Sequence, residues 1–394
     1  MIFLFSVALI WVSHFLVDVM IGIWPVYKTL ANFDLAIAGL IGGGCVFLGE
    51  GLQIVFGSLS DRGYRKALIF GGLLASTANA YLIYTDSYLG IFFLYLLTCM
   101  GSGAFHPAAA SLMGDLSPSK AGVLIAIFSS GGAVGMAISQ LAFTQVDFFF
   151  DGQTFWLALP AIMVVCLALC CQVGSQPAVT AAAQKGEFSL KIIGRFFQHR
   201  PLRMLYFSQV SNMTMLWGML FLLPDFLLSR GYDSWISFGG GHLFLVIGSA
   251  LMMIPAGYLA DRYSNRSVII FATAIAAVLF YFLLMTPMLS NVAVLALLFF
   301  LGAALGAVNP VSVTLGTIFA PNHKGAVSAF TMGLVWCVSQ GIGQSGGGFL
   351  ATCFIDDAPA KALAILGGMF AVGLAAASQL PSSESRAIMV AETG

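Results

Sequence analysis

The stretch GSLSDRGYRK, residues 57–66, returns 200 positions later within AGYLADRYSNR, residues 256–266. Gly57, Asp61 and Arg62 match Gly257, Asp261 and Arg262 at that offset, and Arg65 is answered by Arg266. Each copy separates a long apolar run that ends at its glycine from another that starts just past its basic residues. About 20 apolar residues suffice to cross a bilayer as a helix. A charged, tight turn between two such helices, present once per half, points to a duplicated membrane protein.

Composition agrees. Hydrophobic residues make up 59% of the 394 residues and charged residues 8%, against the roughly 25% charged that a soluble surface normally carries. The chain's neighbour is therefore the lipid bilayer. A formal net charge of zero gives nucleic acid no electrostatic purchase. Of the seven cysteines, Cys45, Cys99, Cys166, Cys170, Cys171 and Cys337 lie inside apolar runs, and Cys353 does not. None has ligand spacing, so packing thiols are expected rather than a disulfide or metal site. The first residues enter an apolar run without a basic region or small-residue cleavage site, which reads as a retained first helix.

About twelve spans fit, near 3–26, 36–58, 67–85, 88–113, 121–145 and 154–172, then 203–227, 236–258, 267–285, 291–315, 325–350 and 361–380. The expected class is an all-α membrane protein of two pseudo-symmetric six-helix bundles, 1–172 and 203–380. A polar linker, 173–202, joins them, and 381–394 forms a tail. Within the linker, FSLKIIGRFFQ (188–198) has the pattern of an amphipathic helix lying on the membrane. With both termini cytoplasmic, only Lys28, Arg230 and Lys361 of the 16 Lys and Arg fall in outer loops. The other 13 lie inside, as the positive-inside rule requires.

The duplication repeats elsewhere. AFHPAAASL (104–112) answers to AVNPVSVTL (307–315), pairing Pro107 with Pro310, and Pro25 pairs with Pro224. Proline inside a span frees a carbonyl and bends the helix.

Ionisable residues inside a span are expensive and mark functional candidates. Span 1 carries His14 and Asp18, four apart and on one helical face. Span 2 carries Glu50 and, one turn on, Gln53; span 4 carries His106; Asp225 follows Pro224, and His242 opens span 8. Any of these can also simply tie two helices together. At the equivalent positions of span 7, Asp18 is answered by Trp217 and His14 by Met213. The first half thus looks built to bind protons. The second offers neutral groups for a small-molecule substrate: Gln209, Asn212, Trp217, Asn309, Trp336 and Gln340. Glycine-rich spans 5 (SSGGAVGMAIS) and 11 (QGIGQSGGG) formally contain nucleotide and nucleophile motifs, with Gly341, Gly343 and Gly346 in one. They lack the strand–turn–helix context those motifs need, so close helix packing through small residues is expected. No metal cluster, cofactor motif or catalytic triad is evident, and no enzyme is expected.

The doubled loop resembles the G-x-x-x-D-R-x-x-R-[RK] signature of the major facilitator superfamily, and this resemblance covers the whole chain. It implies two bundles rocking about a midplane site lined by spans 1, 4, 7 and 10. It also implies a conformational latch. Asp61 is expected at the N-terminus of span 11, near Gly325 to Ser328, where free amides favour an anion. Asp261 is expected at the start of span 5, near Ala121 and Gly122, and Arg62 or Arg65 beside Asp115. More narrowly, SHFLVDVMIGIWP (13–25), GSGAFHPAAA (101–110) and FSSGGAVGMAIS (128–139) resemble the fosmidomycin-resistance family. That likeness implies a proton-driven antiporter exporting a drug or small metabolite, expected as a monomer of the inner or plasma membrane. Asp18 is expected to be the principal proton carrier, tuned by His14, with Glu50 in reserve and His106 at the inner mouth of the pathway. The same residues serve a symporter that imports a metabolite equally well. A transport-silent receptor on the same fold would more naturally carry an appended soluble domain.

Overall fold

The computed structural model describes residues 2–171 and 190–382, which form helices and turns with no strand among them. Ten helices are long and apolar enough to cross a membrane among the described residues. One of them, Leu35–Tyr84, is 50 residues long and accommodates spans 2 and 3. Its break lies in the quoted loop, where Gly63 takes φ 100°, a conformation L side chains rarely adopt. The shorter apolar helix Thr154–Cys170 supplies span 6. The remaining spans are Phe3–Leu30, Tyr88–Leu116 (span 4), Ala121–Phe149 (span 5), Arg200–Ser229 (span 7), Ile236–Arg262 (span 8), Asn265–Met285, Asn291–Phe319 (span 10), Gly325–Thr352 (span 11) and Ala358–Ser378.

The described residues form two compact units, one of residues up to 171 with Asp233–Leu243, the other from 190 to Tyr232 with Phe244 onward. In the first unit, span 1 packs chiefly along span 5 and span 3 along span 4; in the second, span 7 packs along spans 11 and 12 and span 9 along span 10. The duplication read from the motifs is therefore also a duplication of packing. Large apolar side chains such as Leu40, Ile254 and Val292 are exposed, as a chain surrounded by hydrocarbon requires.

The four proline positions behave differently. Span 1 breaks at Gly22 and Ile23, and a new helix, Trp24–Leu30, starts with Pro25 in its first turn, where no N–H is required. Pro107, Pro224 and Pro310 sit inside uninterrupted helices. The short helix after the break corrects one expectation. Lys28, read as an outer-loop residue, lies in that helix fully buried, with Nζ 2.9 Å from Thr29 Oγ1. Span 11 departs from regular geometry at two π-helical stretches, Ala329–Leu334 and Gly341–Gly346.

Most of the expected linker and the tail beyond 382 lie outside the described residues. Leu190–Gln198 is helical, as its pattern predicts. Its aromatic face, however, packs on protein: Phe196 is fully buried, and Phe196 and Phe197 lie 5.4 and 5.1 Å from the Phe330 ring. The cysteines also need correction. Cys45, Cys99 and Cys337 are buried, but Cys166, Cys170 and Cys171 are exposed along with Cys353. A thiol is apolar enough to face lipid as readily as protein.

The glycine-rich segments are packing devices. A Cβ at Gly131 would stand 2.7 Å from the Trp11 carbonyl oxygen, and one at Gly135 would collide with that of Phe15, so the span 5 backbone lies directly on span 1. Gly343 meets Thr214 and Gly218 of span 7 in the same way. Gly135→Ala is expected to cost about 1–3 kcal/mol of overpacking and to lower the melting temperature in detergent by several degrees. Gly44→Ala, at a site with nothing within 4 Å, should leave it unchanged; equal melting of the two variants would refute the close-packing role.

Candidate functional site: a histidine pair and a carboxylate in the first unit

Because Gly131 and Gly135 bring the two backbones together, the Phe128 carbonyl of span 5 reaches His14 of span 1. His14 Nδ1 lies 2.7 Å from that oxygen, and the imidazole stacks on the Phe128 ring at 4.0 Å. Span 4 brings in His106, whose Nδ1 is 2.8 Å from the Ser102 carbonyl. A carbonyl oxygen only accepts, so each Nδ1 carries the proton it donates. The two Nε2 atoms are left facing one another at 3.1 Å. Asp18 closes the group, Oδ2 3.5 Å from His14 Nε2 and Oδ1 3.3 Å from His106 Nε2.

These positions are compatible with a shared proton. Two bare imidazole lone pairs at that distance repel. One proton between them turns the contact into an imidazole–imidazolium hydrogen bond, with the Asp18 carboxylate as counter-charge. The group then carries no net charge, which a membrane interior favours. A hydrogen-bonded extension leads on from it to span 2: Ser102 Oγ lies 3.2 Å from His106 Nδ1 and donates to Glu50 Oε1 at 3.0 Å. Glu50 is buried where span 2 loosens into a single 3-10 turn, Glu50–Leu52. Gln53 is half-buried just beyond that turn and takes no part in these hydrogen bonds. Gly132 leaves the space the cluster occupies, since a Cβ there would collide with His14 Nε2 and stand 2.5 Å from Asp18 Oδ2.

Other candidates have structural partners. His242 is buried, with Nε2 2.7 Å from the Met136 carbonyl and Nδ1 3.0 Å from Gln140 Nε2. One nitrogen donates and the other accepts, which describes a satisfied neutral imidazole tying helices together. Arg65 is buried and pairs with Asp115 at 2.8 Å while its other terminal nitrogen donates to Ser111 at 2.9 Å. In the second copy of the loop, Arg266 donates instead to the Ser378 carbonyl at 2.7 Å, and Arg262 lies over the Tyr263 ring. Asp61, Arg62, Asp261 and Arg262 are exposed, whereas Gly57 and Gly257 are half-buried. Asp225 is also half-buried.

In the second unit, Gln209 Nε2 donates to Asn309 Oδ1 at 2.8 Å. AVNPVSVTL aligns Asn309 with His106, so each half links its first and fourth span through the polar residue that precedes the proline. Asn212 accepts from Thr273 at 3.1 Å, and Gln340 lies 3.4 Å from Gln344. The Trp217 and Trp336 rings meet edge to face at 5.9 Å, with Trp336 on the short helix Val335–Gln340 between the two π-helical stretches. Several buried polar atoms here have no hydrogen-bond partner among the described residues: Ser208 Oγ, Gln209 Oε1, Thr214 Oγ1, Trp217 Nε1, Ser312 Oγ, Trp336 Nε1 and Gln344 Oε1. Such groups are costly unless something pairs with them. They offer both donors and acceptors and no charge. Ser208, Thr214, Ser312 and Gln344 escaped the sequence reading because hydroxyls and amides are common in spans; the buried, unpaired state singles them out.

The family model described as Major Facilitator Superfamily matches residues 3–344. Among solved structures, the chain is similar to a bacterial homologue of the human lysosomal transporter Spinster in an inward-facing, unoccupied conformation. They share 17% identity over 96% of this chain and 94% of that one, with a TM-score of 0.73. It is similar also to the nucleoside transporter NupG, at 12% identity over 97% of this chain and 100% of that one, with a TM-score of 0.78. No curated protein matches the sequence at a significant level.

The hydrogen bonds fix tautomers, and nitrogen-15 spectroscopy of histidine-labelled protein should read them. The neutral form of His242 is expected with its proton on Nε2, and His14 and His106 with protons on Nδ1. A His106 protonated only on Nε2 would overturn the shared-proton arrangement.

Proposed function

The chain belongs to the Major Facilitator Superfamily and is a multi-pass membrane transporter, not an enzyme, and from that premise we propose that it couples proton movement to the export of a small, uncharged molecule. The observation that carries the proposal is the convergence of His14 Nε2, His106 Nε2 and the Asp18 carboxylate within 3.1–3.5 Å. It supports proton coupling; the direction, export by antiport, is taken from the fosmidomycin-resistance likeness.

The cluster is electroneutral with one proton shared between the imidazoles and carries one negative charge without it. A neutral cluster suits an occluded state, and an anionic one suits a state open to water. One proton per cycle follows from two nitrogens that hold a single proton between them. Asp18 is then the counter-charge to the loaded proton, and Ser102 with Glu50 gives the proton a route inward from His106. Substrate is assigned to the neutral groups of the second unit. The paired Trp217 and Trp336 suit an aromatic or apolar body, and the unpaired amides and hydroxyls suit neutral polar substituents. Spans 10 and 11 contain no Asp, Glu, Lys, Arg or His, which argues against a strongly charged cargo. Asp61 and Asp261 are read as latch residues on the cytoplasmic side. Both termini are assigned there, in an inner or plasma membrane, with the monomer as the working unit.

Solid-supported-membrane electrophysiology on proteoliposomes, with uncharged and charged compounds at two pH values, tests direction and coupling together. Asp18→Asn is expected to abolish pH-driven accumulation, by at least tenfold, while substrate exchange across the membrane remains. Glu50→Gln should do less, and His106→Gln should alter the pH profile. Accumulation against a gradient at the wild-type rate in Asp18→Asn would sink the assignment.

A further inference from the structure

We propose that His14, Asp18 and His106 also form a binding site for a divalent transition-metal ion, best matched by Zn2+. The sequence reading found no metal cluster because the two histidines are 92 positions apart. Folding brings one ligand atom from each of the three residues within 4.8 Å of one another.

The geometry is that of a coordination sphere. Zinc binds imidazole nitrogen and carboxylate oxygen at about 2.0–2.2 Å, so adjacent ligand atoms of a tetrahedral site stand about 3.3 Å apart. Here the Nε2 atoms are 3.1 Å apart, and the Asp18 carboxylate faces them through its two oxygens, Oδ1 at 3.3 Å from His106 and Oδ2 at 3.5 Å from His14, with one ligand atom per residue all within 4.8 Å. Distances suited to a hydrogen bond or ion pair overlap these values, so distance alone does not distinguish the two. The second observation does. Both Nδ1 atoms donate to backbone carbonyls, of Phe128 and Ser102, so both Nε2 lone pairs are aimed at one point. Metal-ligating histidines are held in this way, by a partner on the far ring nitrogen.

Ligand type and charge narrow the ion. Two imidazoles and one carboxylate suit Zn2+ and its transition-metal neighbours rather than Mg2+ or Ca2+, which take oxygen ligands. Three protein ligands leave a fourth position open, as in sites that exchange what they bind. The Asp18 and His106 side chains are 16% and 27% exposed, which leaves that position accessible. Asp18 offsets one charge of the ion. Glu50, one hydrogen bond behind His106 through Ser102, offsets the other from outside the coordination sphere. The titratable groups around the site are thus His14 and Asp18 from span 1, Glu50 from span 2 and His106 from span 4; span 5 contributes the Phe128 carbonyl and Gly132.

This inference stands on geometry and needs neither transport nor the proposed proton role. The test uses full-length purified protein in detergent with Co2+ as the spectroscopic probe and Zn2+ as competitor. The expected result is saturable binding of one Co2+ per chain, with the intense visible bands of a four-coordinate ion, removed by stoichiometric Zn2+. His14→Gln and His106→Gln should weaken binding at least 100-fold and abolish the bands. Glu50→Gln should weaken it roughly tenfold and leave the band positions unchanged. A spectrum of six-coordinate aqueous Co2+ at every ratio with the wild-type protein overturns the proposal, whether or not the variants fold. So do bands that survive both histidine substitutions. Loss of proton-driven transport in Asp18→Asn bears on the proton role alone.

Discussion

Hydrocarbon offers no hydrogen bonds, and that constraint orders this molecule. Backbone groups satisfy it within helices. Polar side chains must satisfy it by meeting one another, and several do so with most of their polar atoms. His242 donates from one nitrogen and accepts at the other, and Arg65 spends its terminal nitrogens on Asp115 and Ser111. Against that background two places stand out. One is a histidine pair whose Nε2 atoms face one another at 3.1 Å beside a carboxylate. The other is a set of buried amides, hydroxyls and indoles without partners.

These two places lie in different halves of a duplicated chain. The packing scheme has been kept, since span 1 lies along span 5 as span 7 lies along span 11. The polar link between the first and fourth span of each half has also been kept. Its chemistry has diverged, from His14–His106 in one half to Gln209–Asn309 in the other. An amide pair holds helices together but does not titrate. The change from imidazole to amide therefore separates a half with titratable groups from a half that presents neutral hydrogen-bonding groups. Small residues make both arrangements possible, because only glycines let span 5 and span 11 come close enough to place a carbonyl, or a backbone, against the neighbouring helix.

The sequence by itself determined what depends on local or repeated pattern. The doubled GSLSDRGYRK loop and the hydropathy gave the class, the duplication and span limits within a few residues, because the hydrocarbon thickness imposes a length that apolar runs must match. It also picked out His14, Asp18, Glu50 and His106 individually, since a titratable group inside an apolar run is conspicuous wherever it points. It misjudged Lys28, because a span limit drawn at residue 26 takes no account of a helix restarting at Pro25, and it read lipid-facing thiols as packed ones, because hydropathy does not distinguish lipid from protein. Only the tertiary structure decided which of the candidates meet. His14 and His106 are far apart along the chain, and their tautomers are set by carbonyls of two further segments. The same packing turned His242, which looks equally suspicious in sequence, into a satisfied tie. Proximity between distant spans and the direction of a ring nitrogen are properties of packing, to which no local pattern is sensitive.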